Sequence, residues 1–496
     1  MNKQEGEDEM VETEKKPNVL MISADQWPGS FLGCAGRSDI MTPTLDYLAE
    51  NGIRFENCYS ECPVCIPARR SLMTGLTPKT HGDRVYSDRM EMPDVPTMAQ
   101  VFRENGYQTM AVGKLHVYPQ RNRIGFEDVI LTEEGRYELG CVDDYQIWLG
   151  EHGYTGQEFL HGMGNNTYYT RPWHLDEKSH PTNWVTMEMM RQIKRKDPTR
   201  PFFYYCSYAF PHPPLVPLET FWDMYREEEI RMPEGENWLD DSYIFQSMCA
   251  AAQGYSEKER KRAMRAFFAQ CTHIDYEIRL LIGTLRESGL LDNTIIVFLS
   301  DHGDMLFRHN MVAKRCFYEE AANVPLILSG KPLLKWRGTK ESRLAQLSDV
   351  MPTLLELCNL PIPDSVEGIP LLSGKEHPYL YGEVGEGEKA TRMIRWRQYK
   401  LIYYPCGNKI QLFDLEKDPG ETHDFGNNEK YADVLVKMTG FLTENLYGSD
   451  LDWIKAGKLC GFEPGEYRSK ADFGLYNQRG LHWPTPAGYS NLGKNG

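Results

Sequence analysis

The amino-acid sequence predicts an α/β fold: a large, mostly parallel sheet flanked by helices, with a small antiparallel sheet towards the carboxyl terminus. Residues 17–26 ("PNVLMISADQ") and 293–304 ("NTIIVFLSDHGD") are apolar, β-branched runs that end in acidic residues, which is typical of buried parallel strands. Between them, helix-like segments such as "TMAQVFRENG" and the amphipathic stretch 258–288 alternate with further strand candidates. This alternation favours helices on both faces of one sheet.

A chain of 496 residues is long enough for one large domain and an appendage. After about residue 377 the pattern changes to short strands and turns, as in "MIRWRQYKLIYYP" and "KIQLFDLEKDPGE". We therefore expect a polar extension over 1–16, the main α/β domain over 17–377, and an antiparallel subdomain with a tail over 378–496. Residues 143–183 are rich in Trp, Tyr, His and Gly, and we interpret them as an insertion above the sheet.

Composition limits the classes of function. The net charge of −16 argues against a nucleic-acid partner, because a phosphate backbone requires a positive surface, but a local cationic cluster can still hold a small anion. The 12 cysteines lack the repeated spacing of a disulfide framework, so we expect reduced thiols. No apolar run reaches the ~18 residues of a membrane span, and the first sixteen residues are polar. These features predict no membrane partner and a cytoplasmic location, although an exported chain without its signal would look the same.

The segment 62–75, "CPVCIPARRSLMTG", is the most informative stretch of the sequence. Its cysteines have the CxxC spacing of a redox pair, so a thiol–disulfide protein that uses Cys62 and Cys65 together is one interpretation. A zinc site would need a second CxxC or a histidine pair at matching spacing, which the sequence lacks. A redox motif does not account for the two adjacent arginines.

Cys65 occupies the predicted start of a helix that ends at Gly75. Pro67 suits the first helical turn, so free backbone N–H groups and the positive end of the helix dipole would point towards Cys65. Arg69, about one turn further on, could bring a planar, permanently charged guanidinium to the same point. The segment therefore favours an anion-binding position at Cys65.

The chain resembles the type I sulfatases of the alkaline-phosphatase-like superfamily. "CIPAR" followed by "SLMTG" matches the family's C-x-P-x-R…TG signature, and further family blocks occur in the family's order: "PNVLMISADQ", "TPTLDYLAENGIRFENCY", "VGKLH", "PHPP", "SDHGDM", "YEEAANVPLIL" and "LFDLEKDPGE". The resemblance implies an alkaline-phosphatase-like fold, hydrolysis of a sulfate ester, and oxidation of Cys65 to formylglycine by a maturing enzyme. Ala68, where many members have Ser, leaves open which maturing enzyme acts.

The resemblance also implies a metal site formed by Asp25, Gln26, Asp301 and His302. Each of these side chains offers an oxygen or nitrogen ligand to a divalent cation. The chain departs from the commonest family pattern, because Gln26 replaces a second Asp and His302 replaces Asn. Since fewer carboxylates and one imidazole make the site less hard, we expect Ca²⁺, with Mn²⁺ as the alternative.

The catalytic residues implied by the resemblance are Cys65, Arg69, Lys114, His116, His212 and Lys314. Lys114 and His116 lie two residues apart on a predicted strand, so we expect both side chains on one face, where they would orient the formylglycine hydrate. His212 would lie near the leaving group, and Lys314 would bind the sulfate. In sulfatases one hydroxyl of the hydrate attacks sulfur, and the second later expels sulfate.

Other residues and functions stay open. Arg70 is expected to face solvent or an acid, Cys62 to be a packed thiol, and His309 to be either a substrate contact or a loop residue. A phosphonate or phosphate-ester hydrolase of the same superfamily would keep the metal and the formylglycine, and relatives of that kind also have the Asp-Gln and Asp-His pairs. Relative turnover of an aryl sulfate and an aryl phosphonate ester discriminates between the two functions.

The substrate is predicted from the residues above the strand ends. Aromatic rings with amide or charged donors suit a pyranose, and such side chains are frequent in 143–183 and after Tyr447. We therefore expect a sulfated carbohydrate, of glycosaminoglycan type, with Trp148, Trp173 and Trp184 as candidate platforms. The alternatives are that these rings pack the insertion against the sheet or form a subunit contact, and a homo-oligomer is left open.

Overall fold

The structure is a computed structural model that describes residues 16–135, 142–233 and 235–466. Nearly all of the predicted extension (1–15), Cys141 and the end of the tail (467–496) lie outside the described residues. Eight strands form the main sheet, in the order β4-β3-β5-β1-β6-β7-β2-β8. They are β1 (Asn18–Asp25), β2 (Gly52–Tyr59), β3 (Gln108–Gly113), β4 (Asp128–Leu131), β5 (Phe202–Pro211), β6 (Thr294–Ser300), β7 (Leu326–Ser329) and β8 (Thr339–Gln346).

Strand β1 lies in the interior of this sheet and is buried along its whole length. It pairs in parallel with β5 on one side and β6 on the other. In the described part of the sheet only β7 runs antiparallel to its neighbours, β6 and β2. The prediction of a mostly parallel sheet is therefore confirmed, and the carboxyl ends of β1, β3, β5 and β6 meet at one edge.

Helices cover both faces of the main sheet, as predicted. Leu20 and Ile22 of β1 belong to the apolar core on one face, and Val19 and Met21 belong to the core on the other. The helices are α1 (Pro43–Glu50), α2 (Cys65–Thr74), α3 (Pro78–His81), α4 (Met98–Glu104), α5 (Asp144–Glu151), α6 (Pro181–Lys194), α7 (Glu219–Asp223), α8 (Tyr243–Cys249), α9 (Glu257–Glu287), α10 (Glu319–Ala322), α11 (Val350–Leu357) and α12 (Ala432–Asn445). Helices α1, α6 and α9 pack on the first face, and α2, α4 and α11 on the second.

A four-stranded antiparallel sheet follows the main sheet in the chain, as predicted, in the order β12-β11-β10-β9. Its strands are β9 (Leu380–Val384), β10 (Thr391–Trp396), β11 (Tyr399–Tyr404) and β12 (Lys409–Asp414), and a hairpin of β13 (Ile454–Lys455) and β14 (Lys458–Leu459) lies beyond it. Met438 and Leu442 of α12 pack against Ile394 and Leu401 in a separate apolar core. The β9 strand was not predicted as a separate element.

A buried group of charged residues joins the two sheets, and we call Tyr59, Glu319, Arg395, Lys400 and Glu421 the seam cluster. The Lys400 Nζ lies 2.6 Å from both Glu319 Oε1 and Glu421 Oε1. The hydroxyl of Tyr59, at the end of β2, donates to Glu319 Oε1 at 2.9 Å and accepts from Arg395 Nε at 2.9 Å. These contacts tie β10 and β11 to the main sheet.

The insertion predicted over 143–183 contributes α5, loops and the first turn of α6. Trp184 is 1% exposed and packs on Tyr145, and Trp173 is 9% exposed and packs on His180. The prediction that Trp173 and Trp184 form a platform for a sugar is therefore wrong, because their large apolar rings are buried in the core, where a sugar cannot reach them. Trp148 is partly buried and stacks on His152. None of the helices in the described residues has the length and apolar character needed to cross a bilayer.

Candidate active site

The carboxyl edge of the main sheet brings several of the predicted residues together. Asp25 is the last residue of β1, and Asp301 directly follows β6. Lys114 directly follows β3, and His212 directly follows β5. Since parallel strands that lie side by side end at the same edge, residues far apart in sequence converge there.

Cys65 is the first residue of α2, as predicted, and the preceding Val64 is extended. Its thiol is 2% exposed; the Sγ lies 3.7 Å from Asp25 Oδ1 and 3.1 Å from His302 Nε2. Burial alone would raise the pKa of this thiol, but the nearby cations, chiefly Lys314 and His302, hold it well below the ordinary value. The position therefore stabilises negative charge at residue 65.

Four side chains converge closely enough to hold a cation. One ligand atom from each of Asp25, Cys65, Asp301 and His302 lies within 4.8 Å of the others, and all four residues are buried. We call these residues the strand-end cluster. The His302 Nδ1–H donates to the Gly303 carbonyl at 3.0 Å, which turns Nε2 towards the cluster, where a bound cation would take the place of the Nε2 proton. Two carboxylates and an oriented imidazole suit a divalent cation.

The two carboxyl groups of the cluster differ in their pKa values. Burial and the neighbouring Asp25 carboxylate raise the pKa of Asp301. By contrast, the pKa of Asp25 is well below the usual range although burial would raise it, because Lys114, His212 and Arg69 stabilise the carboxylate. Two carboxylates this close repel each other, and a cation between them would relieve that repulsion.

Arg69 lies beside this cluster. Its Nε donates to Asp301 Oδ2 at 2.9 Å and its Nη2 donates to Asp25 Oδ2 at 3.3 Å. Its Nη1 donates to the carbonyl of Lys114 at 2.8 Å and to the hydroxyl of Ser207 at 2.9 Å. The guanidinium therefore fixes both carboxylates in place and ties them to Lys114, just after β3, and to Ser207 within β5.

Lys114 and His116 reach the site differently from the prediction. β3 ends at Gly113, whose φ is +106° and where an added Cβ would lie 1.9 Å from the Ser207 carbonyl oxygen. The expectation that Lys114 and His116 share one face of a strand is wrong, because the chain turns out of the sheet at this glycine. Lys114 Nζ still lies 2.6 Å from Asp25 Oδ2, and His116 Nε2 lies 3.3 Å from the Tyr86 hydroxyl.

His212 and Lys314 contact each other on another side of the site. The His212 Nδ1–H donates to the Pro213 carbonyl at 2.7 Å, so Lys314 Nζ donates to His212 Nε2 at 2.7 Å. Lys314 Nζ also donates to the side-chain oxygen of Gln26. The main-chain N–H of Gln26 donates to Asp301 Oδ1 at 3.1 Å, which places this residue next to the strand-end cluster.

Three acidic residues and one tyrosine near the site were missed by the sequence interpretation. Glu134 Oε2 lies 2.8 Å from Lys114 Nζ, and Glu133 Oε1 accepts from the main-chain N–H of His116 at 2.8 Å. These adjacent acids follow β4, so the strand-end pattern could have found them. Asp304 and Tyr168 contact the Gln26 amide; Asp304 lies in the quoted "SDHGDM" block, whereas nothing marked Tyr168 within the insertion.

Three further residues lie in separate surroundings: Arg70 and His309, whose roles stayed open, and Cys62, which was expected to be a packed thiol. Arg70 is buried, donates to the Met90 and Glu91 carbonyls and lies 3.6 Å from Asp83. His309 is buried, and its Nδ1 lies 3.1 Å from Glu236 Oε2. Cys62 is a buried, free thiol in an apolar cluster, and burial raises its pKa well above the ordinary value. Cys62 is therefore a packed thiol, as expected.

Comparison with known protein families agrees with this geometry. The family model described as "Sulfatase" matches residues 17–360, and a model described as "N-sulphoglucosamine sulphohydrolase, C-terminal" matches residues 308–446. An arylsulfatase of Clostridium perfringens is 35% identical over 467 residues, which are 90% of this chain and 97% of the relative. A choline-sulfatase of Rhizobium meliloti is 31% identical over 453 residues, with 86% of each chain covered. A Δ4,5-hexuronate-2-O-sulfatase of Bacteroides thetaiotaomicron is 27% identical over 492 residues, 89% of this chain and 91% of the relative.

Solved structures share the fold. A phosphonate monoester hydrolase of Agrobacterium radiobacter superposes with a TM-score of 0.73 at 20% identity and covers 86% of this chain and 95% of its own. A protein solved in complex with its substrate D-glucosamine-2-N,6-O-disulfate gives a TM-score of 0.69 at 21% identity and covers 87% of this chain and 97% of its own. At these identities the likeness concerns the fold alone.

Proposed function

The chain belongs to the sulfatase family and is a sulfuric ester hydrolase, and from this premise we propose that it hydrolyses a sulfated carbohydrate with residue 65, in its formylglycine form, as the nucleophile. The observation that carries this proposal is the buried strand-end cluster, in which Asp25, Asp301 and His302 surround the first residue of α2. Oxidation by a maturing enzyme would give residue 65 an aldehyde that adds water and so carries two hydroxyl groups. A thiol has no second hydroxyl with which to release sulfate.

Asp25, Gln26, Asp301 and His302 would hold the metal. Two carboxylates and an amide oxygen are hard ligands, which supports Ca²⁺, and one imidazole keeps Mn²⁺ as the alternative. When bound, the cation supplies positive charge beside residue 65. Arg69 would keep the two carboxylates oriented, since it donates to both of them.

The remaining residues would act on the substrate. Lys314 would bind a sulfate oxygen, and His212, whose Nε2 lies 2.7 Å from Lys314 Nζ and would take up a proton when Lys314 turns to the sulfate, would pass that proton to the leaving oxygen. Lys114 Nζ, 2.6 Å from Asp25 Oδ2, would add positive charge where the nucleophile forms, and His116 would hydrogen-bond to it. These donors are fixed before the substrate binds, which is the arrangement that stabilises charge in a transition state.

Two findings support a carbohydrate substrate. The family model that matches the carboxyl-terminal region is that of an N-sulphoglucosamine sulphohydrolase, and one relative is a hexuronate sulfatase. The alternative function, a phosphonate hydrolase, rests on two observations. One is a likeness in fold at 20% identity, and the other is the presence of the Asp-Gln and Asp-His pairs formed by Gln26 and His302 with the aspartates that precede them in the sequence.

One experiment tests this function. We expect turnover of sulfated mono- or disaccharides to exceed that of an aryl sulfate, and an aryl phosphonate ester to be the poorest substrate. The same preparation should yield a peptide around residue 65 that is about 18 Da lighter than the cysteine form. Efficient turnover of the phosphonate alone, or an active enzyme whose residue 65 is entirely thiol, would overturn the proposal. Turnover confined to aryl sulfates would overturn its carbohydrate part.

A further inference from the structure

We propose that Asp304 and Tyr168 are positioning residues that fix the orientation of the Gln26 amide, with its oxygen towards the active site. This inference rests on the proposed function, in which Gln26 is a metal ligand. The oxygen side of the amide is identified by its contact with Lys314 Nζ, which can only donate. The nitrogen side contacts Asp304 and Tyr168.

The hydrogen bonds of Asp304 determine which end of the amide it meets. A carboxylate is an acceptor only, and Oδ1 of Asp304 already accepts from the main-chain N–H groups of Leu306 at 2.8 Å and Ala313 at 3.0 Å. Its Oδ2 accepts from the Tyr168 hydroxyl and from Gln26 Nε2, each at 2.5 Å. A flipped amide would place its oxygen against this carboxylate and its NH₂ against Lys314, so two repulsive contacts oppose the flip.

Gln26 needs such support more than an aspartate would. The two oxygens of a carboxylate are equivalent, so either can bind a cation, whereas a glutamine offers one oxygen and one NH₂ group. An unsupported amide would present the wrong atom in part of the population. Mutation of a residue that lies behind a metal ligand and fixes its orientation typically lowers metal affinity by 10- to 100-fold.

Tyr168 is itself held firmly. It is buried, its ring packs on Phe307, and its main-chain N–H donates to the Tyr255 hydroxyl at 3.1 Å. The Tyr168 hydroxyl donates to Asp304 Oδ2 at 2.5 Å. Its oxygen accepts from the Ala313 N–H at 2.9 Å, next to Lys314. One insertion residue thus connects the metal ligand to the loop that carries the sulfate-binding lysine.

The test measures Ca²⁺ and Mn²⁺ binding by calorimetry on the full chain with Cys65 unmodified, so that turnover plays no part. Tyr168→Phe and Asp304→Asn should each weaken metal binding roughly 10- to 100-fold. The matched controls Tyr208→Phe and Asp275→Asn change a buried tyrosine and a buried aspartate elsewhere in the core, and should leave affinity unchanged. Thermal unfolding in a chelator checks that each variant is folded.

The double variant Gln26→Glu/Asp304→Asn supplies the sharper result. It preserves net charge and reverses the central hydrogen bond, because the introduced asparagine would donate to one oxygen of the introduced glutamate while the other oxygen still faces the site. We expect it to bind metal more tightly than Asp304→Asn alone. A wild-type chain that binds neither metal would overturn the proposed metal site. Two results would overturn this inference alone, provided that the wild-type chain binds metal. One is a metal affinity of Tyr168→Phe and Asp304→Asn equal to that of the wild type, and the other is a metal affinity of the double variant no higher than that of Asp304→Asn.

Discussion

The strand-end cluster and the seam cluster are both buried groups of charged residues, yet they differ in how the charges are paired. In the seam cluster, one cation, Lys400, lies 2.6 Å from two carboxylates, and the lysine is fully buried. In the strand-end cluster, ligand atoms of Asp25, Asp301 and His302 converge on Cys65. Burial of charge is common to both, so burial does not identify an active site. The proposed active site is distinguished instead by the convergence of several ligand atoms on the Sγ of Cys65.

The largest effect is expected from replacing Cys65, the proposed nucleophile position. Cys65→Ala should lower turnover of a sulfate ester by about 10⁴-fold or more, because no other group can replace the nucleophile. Its thermal unfolding should stay close to that of the wild type. Cys62→Ala is the matched control and should keep most of the activity, since Cys62 packs in an apolar cluster. Equal loss in both variants would favour a thiol pair over a single nucleophile.

The seam cluster should show the opposite result. Lys400→Met removes the cation that lies 2.6 Å from the partly buried Glu319 and the fully buried Glu421, and leaves Arg395 as the remaining cation of the seam cluster. We expect the free energy of unfolding to fall by about 3–5 kcal/mol. Activity per folded molecule should change less than twofold. Lys409→Met provides the comparison, because Lys409 pairs with the half-exposed Asp240 and its removal should cost less than about 1 kcal/mol. Denaturant titration measures both, and equal losses would show that the seam cluster is not a stabilising group.

A smaller, pH-dependent effect is expected from Glu421. Burial, with the neighbouring Glu319 carboxylate, raises its pKa from 4.5 to about 7 although Lys400 opposes the shift. A raised pKa means that the folded protein keeps this proton while the unfolded chain loses it. The resulting stability is present below about pH 4.5 and is lost as the pH rises towards 7, at most by about 1.4 kcal/mol per pH unit.

Glu421→Gln, which keeps the shape of the protonated acid, should remove this dependence. The difference in unfolding free energy between the variant and the wild type should therefore grow between pH 4.5 and 7. Glu429→Gln, in a stretch of exposed residues, serves as the control. A difference that does not change with pH would show that Glu421 is ionised throughout this range.

The fold and the centre of the site could be predicted from the sequence because both depend on local patterns. Apolar runs ending in acids placed Asp25 and Asp301 at one edge of a sheet, and the Pro and Gly of the "CIPARRSLMTG" segment placed Cys65 at a helix start. Tyr168 could not be predicted, since its contact with Asp304 depends on how a long insertion packs. The error over Lys114 and His116 arose from Gly113, whose close approach to Ser207 ends the strand early.

The order of synthesis gives the burial of Cys65 a further consequence. Its thiol is 2% exposed in the folded chain, and His302, one of the residues that enclose it, lies 237 residues further along. At typical rates of translation, about 12 to 47 s separate the appearance of the two residues. For most of that interval β6 has not been synthesised, and the sheet edge around Cys65 is incomplete. The maturing enzyme that we propose would therefore act within a period set by the ribosome, and a chain that folded before oxidation would withdraw its thiol from reach.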